Sequence, residues 1–291
     1  MSNLYVTPAE IKDNAPDAIR AATTKYDDVL TRMAGNASRD IDRWCRRVFY
    51  PWSGVRTFNG GGKRTLWIDD VISISQLRYS DDNGATYTAL AQLANWHLAR
   101  ADDYNHPGSY DRLVIDPNSL ILGVWPSGIK SVEVTGIWAY ADDRAQAFEA
   151  TGLTVANDPL AAGATSVTAS ADATGDDQFK VSPAVGAGML LRLELEYLEC
   201  TDVATVTLTV LRGRNGTTDA AHAKLKPIEV WRPPEPVKEA AAIMAVRRLQ
   251  RALQGYADAS ADVDLGRLRF VRGMDPEAER LLWHYRKPGP A

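Results

Sequence analysis

The chain has 291 residues, of which 45% are hydrophobic and 24% charged, and its net charge is −4. This composition indicates a globular protein with a substantial apolar core, and the length suggests two compact units or one unit with a large insertion. Tight binding of nucleic acid depends on an excess of Lys and Arg that releases counterions, so the acidic net charge disfavours that class of protein.

Two helices are predicted first. Thr7-Pro8-Ala9-Glu10 combines a capping Thr, a Pro at the first helical position and the acid of a capping box. A longer helix is predicted over about residues 24–48, because its apolar residues recur at three- and four-residue spacings. The end of this helix is rich in arginine, which indicates either a solvated surface with ion pairs or a subunit contact. The arginines are Arg39, Arg43, Arg46 and Arg47.

A β-rich region is predicted next, with strands at residues 65–68, 72–77, 112–115 and 131–140. Asn83-Gly84 is the signal of a tight hairpin turn. The glycines at residues 60–62 superficially resemble a phosphate-binding loop. They lack the four-residue spacer of that motif and precede a strand, so we interpret them as a hairpin turn.

From about residue 141 the chain becomes rich in Ala, Thr, Gly and Asp. Residues 191–197 then alternate strictly between apolar and charged, which predicts one strand with Glu194 and Glu196 on a solvated face. A further strand is predicted at residues 205–211, before the turn signature Arg212-Gly213-Arg214-Asn215-Gly216. Together these features predict a small antiparallel β domain over about residues 148–232.

A Pro-rich segment ends that unit, and a helix is predicted over about residues 237–253. A polar linker follows at residues 257–264, and Asp275-Pro276 predicts the start of a last short helix. Trp283 and Tyr285 near the end are rigid amphipathic side chains that suit an interface with a partner. The alternative is a C-terminal helix packed on its own domain.

The sequence indicates no metal, cofactor or catalytic site. Histidines and cysteines lack the close spacing of metal ligands, and no Gly-x-Ser-x-Gly motif is present. Cys45 and Cys200 are expected to be buried as small apolar residues. The first residues lack a signal-peptide pattern and no segment approaches about 18 apolar residues, so we expect no membrane span and a cytoplasmic protein or a particle assembled in the cytoplasm.

Residues 37–51 (ASRDIDRWCRRVFYP) resemble the long-helix signature of head–tail connector proteins of tailed bacteriophages, also called adaptor or head completion proteins. The Gly-rich turn, residues 66–70 (LWIDD) and the strand at residues 132–140 are similar to other elements of that family. Ala139 stands where the family usually has Gly. In the family a Pro-led, Ala-rich helix follows almost directly, and it resembles residues 236–253. The intervening β unit, similar to small β modules of virion proteins, is therefore interpreted as an insertion.

The resemblance implies an α+β fold in which a helical bundle packs on a β-rich portion, with an inserted antiparallel β domain. The expected organisation is a connector core of residues 1–147 and 233–264, an inserted domain of residues 148–232, and a C-terminal portal-docking tail of residues 265–291.

The resemblance also implies a function. Members of the family form a ring, typically a dodecamer, beneath the portal of the virion, where it extends the DNA channel and joins the portal to the neck, tail or stopper protein. DNA is transiting cargo in such a ring. We expect the arginines of the long helix to lie at the subunit interface. We expect the portal and neck contacts to be made by Arg267, Arg269, Phe270, Arg272, Leu282, Trp283, Tyr285 and Arg286.

The sequence leaves two other functions as alternatives. The chain could be a virion accessory that binds a ligand or glycan through the β insert, which would require exposed aromatic residues there. Tyr197 and Trp231 are among the few aromatic residues of the insert. A tail-associated hydrolase is disfavoured because no coherent set of acid and base residues is found. A chain truncated after Ala261 is expected to fold and to lose its portal contact.

Overall fold

The computed structural model describes residues 3–13, 26–92, 94–100, 107–179, 181–253, 259–262, 267–270 and 274–287. Two six-stranded antiparallel sheets dominate the described residues. The expected fold of a helical bundle packed on a β-rich portion is therefore wrong, because the protein is mostly β-sheet. Strands of the first sheet pair across long stretches of sequence, as in Trp52 opposite Trp138, and local periodicity does not show such pairing.

The first sheet contains β1 (Trp52–Gly60), β2 (Thr65–Tyr79), β3 (Thr88–Ala89), β4 (Trp96–Ala99), β5 (Tyr110–Ile115) and β6 (Gly128–Trp138). Its order is β1-β6-β2-β5-β4, with β3 paired to β2. Three tryptophans are buried in its core: Trp96, Trp125 and Trp138.

Three expectations for this region have different outcomes. The two strands predicted at residues 65–68 and 72–77 are one continuous strand, β2. The glycines at residues 60–62 connect β1 to β2, but each of these strands pairs with β6, so the expected hairpin is wrong. Asn83 and Gly84 have the positive φ angles of a turn, 58° and 85°, which confirms the turn, although the loop from β2 to β3 is longer than a tight hairpin.

The second sheet contains β7 (Phe148–Thr154), β8 (Ser166–Thr168), β9 (Leu190–Leu193), β10 (Glu196–Ala204), β11 (Thr207–Leu211) and β12 (Pro227–Trp231). Its order is β7-β12-β9-β10-β11-β8, and it has a core of its own. The single strand expected at residues 191–197 is wrong. Glu196 pairs with Leu193, so Glu194 and Leu195 form a two-residue turn between β9 and β10.

Four α-helices lie within the described residues: α1 (Pro8–Asp13), α2 (Asp27–Cys45), α3 (Glu235–Leu253) and α4 (Pro276–Leu282), the last continued by a 3-10 helix (Trp283–Tyr285). The capping box of α1 is confirmed, since the Thr7 N–H donates to Glu10 at 2.7 Å and the Glu10 N–H donates to Thr7 Oγ1 at 3.2 Å. Helix α3 contacts both α2 and α4. The four helices share one buried apolar cluster, which includes Leu30, Ile41, Cys45, Val237 and Leu282.

The two sheets contact each other through the turn that follows β11. The side chains of Asn215 and Asn3 hydrogen-bond to each other at 2.7 and 3.0 Å, and Asn215 Nδ2 also donates to the Pro51 carbonyl at 2.9 Å. The Ser53 N–H, in β1, donates to the Asn215 carbonyl at 2.8 Å. Gly216 follows with φ 81°, and an added Cβ there would lie 2.0 Å from the Ser53 oxygen. This turn therefore holds the second sheet against the first.

Candidate interaction surface

The four arginines predicted as a subunit interface lie on the last turns of α2 and just beyond it. Arg43 is 80% exposed and pairs with Asp40 at 3.2 Å, while Arg46 is exposed and ends the helix in the left-handed conformation with φ 54°. Arg39 and Arg47 are half-buried and engaged inside the protein. Arg39 pairs with Asp42 at 3.0 Å. Of these four arginines, Arg43 and Arg46 are the two that are exposed.

Arg43, Arg46 and Arg47 line one groove of about 220 Å³ between the end of α2 and the first sheet. Arg56 and Lys287 add two further cations to its lining. Three carboxylates also line it: Asp42, Asp69 and Asp70. Since five cations face three carboxylates, the groove is basic although the chain is acidic.

Ion pairs account for part of this charge. Arg47 pairs with Asp70 at 2.6 Å and its guanidinium lies 4.5 Å from the centre of the Tyr140 ring. Arg56 pairs with Asp69 at 2.6 Å. Arg47, Arg56 and Lys287 are largely buried, so the groove leaves Arg43 and Arg46 as its most accessible charges.

Burial shifts the pKa of two of the carboxylates. Desolvation raises the pKa of Asp70, and the charges of Arg47 and Lys287 oppose that rise. Desolvation likewise raises the pKa of Asp42 to about 6, against the charge of Arg39 and a hydrogen bond from Tyr5. These carboxylates therefore depend on their basic neighbours to stay ionised.

The C-terminal segment lies on the same side of the protein. Asp275 caps α4, as predicted, by accepting the Glu277 N–H at 2.9 Å. Leu282 is fully buried in the helical cluster. The Lys287 N–H donates to the Cys45 carbonyl, at the end of α2, at 2.8 Å. The last helix is thus packed on the protein's own core, which was the alternative to a separate tail.

Tyr285 fixes this packing through an aromatic cluster. Its ring lies edge-on to the rings of Phe49 and Tyr140, with centroids 5.8 and 5.7 Å away, and its hydroxyl donates to Asp142 at 3.0 Å. Tyr285 and Leu282 were both predicted as portal contacts, and in this conformation they contact the protein itself.

Two other predicted portal contacts remain on the surface. Trp283 is 59% exposed, and its ring centroid lies 6.5 Å from that of Trp44 in α2. Arg286 is exposed and its guanidinium lies 5.5 Å from the Trp44 ring. Two exposed members of each predicted set therefore lie around Trp44 near the end of α2. We call Arg43, Arg46, Trp283 and Arg286 the α2-end surface.

The other four predicted portal contacts precede α4 in the chain. Arg267, Arg269 and Phe270 lie in β14 (Arg267–Phe270), which pairs with β13 (Ala259–Asp262). Strand β13 lies in the segment that the sequence predicts as a linker, and β14 lies in the predicted tail. The side chains of β14, and the whole of Arg272, lie outside the described residues.

Sequence reasoning missed a buried ionic network in the second sheet. Glu196, expected on a solvated face, is buried and accepts two hydrogen bonds from Arg212 at 2.7 Å. His222 lies between the two glutamates, with Nε2 2.9 Å from Glu196 and Nδ1 2.8 Å from Glu194. The backbone N–H groups of Gly213 and Ala220 also donate to Glu196.

This network is structural. Desolvation would raise the pKa of Glu196, but the hydrogen bonds from Arg212 and His222 outweigh it and lower the pKa to about 2. Both carboxylate oxygens are occupied by donors from the loop after β11. The network therefore fastens that loop to the turn between β9 and β10, and the local signal for it, a Glu directly after a turn, is too weak to be read from sequence.

The aromatic residues considered for glycan binding are internal. Tyr197 and Trp231 are both buried and pack with Phe148 between the two sheets. Cys45 and Cys200 are also buried, as expected, in two different clusters. The β insert therefore does not present Tyr197 or Trp231 to a ligand.

The described part of the chain shows neither a metal-binding cluster nor a membrane-spanning helix. Among the described residues, no group of three or more His, Cys, Asp or Glu side chains could hold a metal ion. No helix in the described ranges is both long and apolar enough to cross a bilayer.

No protein-family model matches the chain, and no curated protein or solved structure matches it. The resemblance to head–tail connector proteins therefore stays a prediction.

Proposed function

We propose that the chain is a structural subunit of a tailed-phage virion, which forms a ring beneath the portal and joins it to the neck or tail. The observation that supports this most is the α2-end surface. Arg43 and Arg46, two of the predicted subunit contacts, lie within two residues of Trp44. Trp283 and Arg286, two of the predicted portal contacts about 240 residues later, lie against the Trp44 ring, and all four are exposed.

The chemistry of this surface suits a protein partner. Trp and Arg are enriched at the energetically dominant positions of interfaces, because they combine a large contact area with hydrogen-bond donors. Trp283 is held by Trp44 and by the buried Leu282 that precedes it. A side chain that is already ordered loses little conformational freedom when a partner covers it.

The charge of the surface indicates what the partner presents. Arg43 and Arg46 would meet carboxylates on the portal or neck protein, since complementary charges orient the encounter and exclude wrong partners. The ring would pass DNA as cargo. A net charge of −4 suits a channel wall that holds the phosphates weakly.

The test combines location with binding. Particles made from the genome that encodes the chain would be imaged with the chain labelled, and the purified chain would be co-sedimented with portal rings. The variant Arg43→Ser with Arg46→Asn removes the two accessible charges, and Asn tolerates the left-handed conformation of position 46. The matched control, Arg32→Ser with Arg64→Ser, removes two arginines that are exposed elsewhere.

We expect the label at the portal vertex, co-sedimentation of the unmodified chain and of the control, and a loss of at least tenfold in portal affinity for the Arg43 and Arg46 variant, about 1.4 kcal/mol. Particles without the chain at that vertex would refute the proposed function. Equal portal binding by both double variants would show that the α2-end surface is not the contact.

A further inference from the structure

Strand β1 is an edge of the first sheet, because it pairs with β6 on one side only. The Ser53 N–H points away from β6, since it donates to the Asn215 carbonyl at 2.8 Å. Backbone groups alternate in direction along a strand, so the N–H and C=O groups of Val55 and Thr57 point to the same outer side. In the part of the chain that the structure describes, no hydrogen bond reaches these outward groups. Their donors and acceptors are therefore open to a partner.

This edge carries few of the features that keep other strands away. Proteins protect exposed edges with Pro, Lys, bulges or a covering element. Residues 52–60 (WSGVRTFNG) contain neither Pro nor Lys, and their pairing with β6 is free of bulges as far as Phe58. The turn after β11 covers Ser53, whereas Val55 is 49% exposed and Thr57 is exposed. Such an edge is a template for an added strand.

The core of the first sheet is incompletely covered beside β1. Trp52 and Phe58 lie on the core face, opposite the buried Trp138 and Val132 of β6, yet both are only half-buried. The Trp52 ring lies over Gly54, where an added Cβ would collide with it. Side chains of an added strand would lie about 4.5–5.5 Å from their neighbours on β1. An extended segment with an apolar side chain at every second position would therefore cover both rings.

Arg56 connects this edge to the α2-end surface. Its side chain lies on the same face of β1 as Phe58, and its guanidinium lies 4.7 Å from the centre of the Trp138 ring. Arg56 also lines the groove that Arg43 and Arg46 line. A segment added to β1 would therefore run beside the α2-end surface, and a single partner can cover both.

We propose that β1 takes up an extended segment of the portal protein as an additional strand of the first sheet. In such strand addition, backbone hydrogen bonds supply affinity, and the alternate side chains supply specificity. Here the specificity comes from the half-buried Trp52 and Phe58, which select apolar side chains. The inference rests on the proposed function for the identity of the partner, and it adds the mode of binding.

The test compares Thr57→Pro with Thr57→Ala in the full-length chain. Both changes remove the Thr side chain, but only Pro removes the outward N–H, and edge strands tolerate Pro where that N–H faces solvent. Affinity for portal rings would be measured by co-sedimentation. Amide hydrogen exchange of the fragment that contains Val55 and Thr57 would be followed in the unmodified chain, with and without portal rings, so one measurement depends on neither variant.

We expect portal rings to slow exchange in this fragment several-fold. Thr57→Ala should bind the rings like the unmodified chain, and Thr57→Pro should lose about tenfold in affinity. Equal affinity of the two variants, with exchange at β1 unchanged by the rings, would overturn the strand addition. Slow exchange at β1 in the chain alone at high concentration, with no further slowing by the rings, would overturn the portal as the occupant.

A peptide arm separates this inference from the proposed function. A short synthetic peptide in which Val alternates with Thr is added to the chain alone, and its fully N-methylated form is the control because it donates no backbone hydrogen bonds. Slowed exchange at β1 with the first peptide only, in a chain absent from the portal vertex, would show that the edge accepts a strand and would refute the proposed function. A chain that is at the vertex and binds portal rings, but whose β1 is slowed by neither rings nor peptide, would refute the strand addition and leave the proposed function standing.

Discussion

Replacing two adjacent residues, Leu282 and Trp283, would separate the packing of the last helix from its contact with a partner. Leu282→Ala empties a fully buried site in the helical cluster, whereas Trp283→Ala removes a side chain that is 59% exposed. If the α2-end surface binds the portal or neck, the two changes should affect different measurements.

The structure sets the size of each effect on stability. Truncating a fully buried leucine costs about 2–5 kcal/mol, since it loses apolar burial and leaves a cavity. Removing Trp283 loses its contact with the Trp44 ring, and an aromatic pair contributes about 0.5–1.5 kcal/mol. Leu282→Ala should therefore lower the free energy of unfolding by about 0.5–4.5 kcal/mol more than Trp283→Ala does.

Urea unfolding and portal co-sedimentation would be measured for both variants. We expect Leu282→Ala to be strongly destabilised yet to bind while it is folded, and Trp283→Ala to be nearly as stable as the unmodified chain but defective in binding. Similar destabilisation by the two changes would refute the packing described for this helix. Normal portal binding by Trp283→Ala would remove that residue from the proposed contact.

Three further predictions concern stability. Gly216→Ala should lower the free energy of unfolding by at least about 1 kcal/mol, because the added Cβ would collide with Ser53 and the positive φ disfavours Ala. It should also increase proteolysis between the sheets, and unchanged proteolysis would contradict the role of this turn. Glu196→Gln should cost about 1.5–3 kcal/mol at pH 7, since it weakens the charged hydrogen bonds to buried Arg212, which keeps Asp219 as a charge partner at 3.0 Å; calorimetry would measure it, and a neutral result would contradict the network. Folding lowers the pKa of Glu196 to about 2, so the stabilisation by its carboxylate is fully present above the unfolded pKa of about 4.3 and is lost as the pH falls toward 2. The variant and the unmodified chain should therefore converge in stability near pH 2. Truncation after Ala261 should lower the unfolding temperature of the helical cluster in calorimetry, because it removes the buried face of α4; an unchanged transition would contradict that packing.

Helix ends were the most predictable part of the fold. Thr7 and Asp275 cap helices by local hydrogen bonds, which depend on residue type and short spacing. The apolar face of α2 was also visible, because one side of a helix repeats every three or four residues. Such features are encoded within a few neighbouring residues.

The alternating sequence pattern did not indicate the turn between β9 and β10. Leu193 and Tyr197 are buried on either side of it, and the exposed Leu195 keeps the alternation of apolar and charged residues unbroken. The turn contains no Gly, Asn or Asp, although Glu194 has φ 55°. Period-two patterns therefore cannot separate one strand from two strands joined by a two-residue turn.

The fold class was mispredicted for a different reason. Strand β1 is half-buried or exposed along its whole length, so it has no apolar stripe, and its partner β6 begins 68 residues after β1 ends. The α2-end surface shows the same limitation. Its residue types were recognisable, but the packing of Trp283 against Trp44 in α2 depends on tertiary structure across nearly the whole chain.

The helical cluster constrains the order in which the protein can fold during synthesis. Helix α2 needs α3 and α4 to cover its apolar face, so this cluster cannot be completed until residues near 282 have left the ribosome. The second sheet closes with strands from residues 148 to 231 alone, and it can form earlier. A nascent chain therefore exposes the apolar face of α2 for most of its translation, and this is the interval in which chaperone binding would matter.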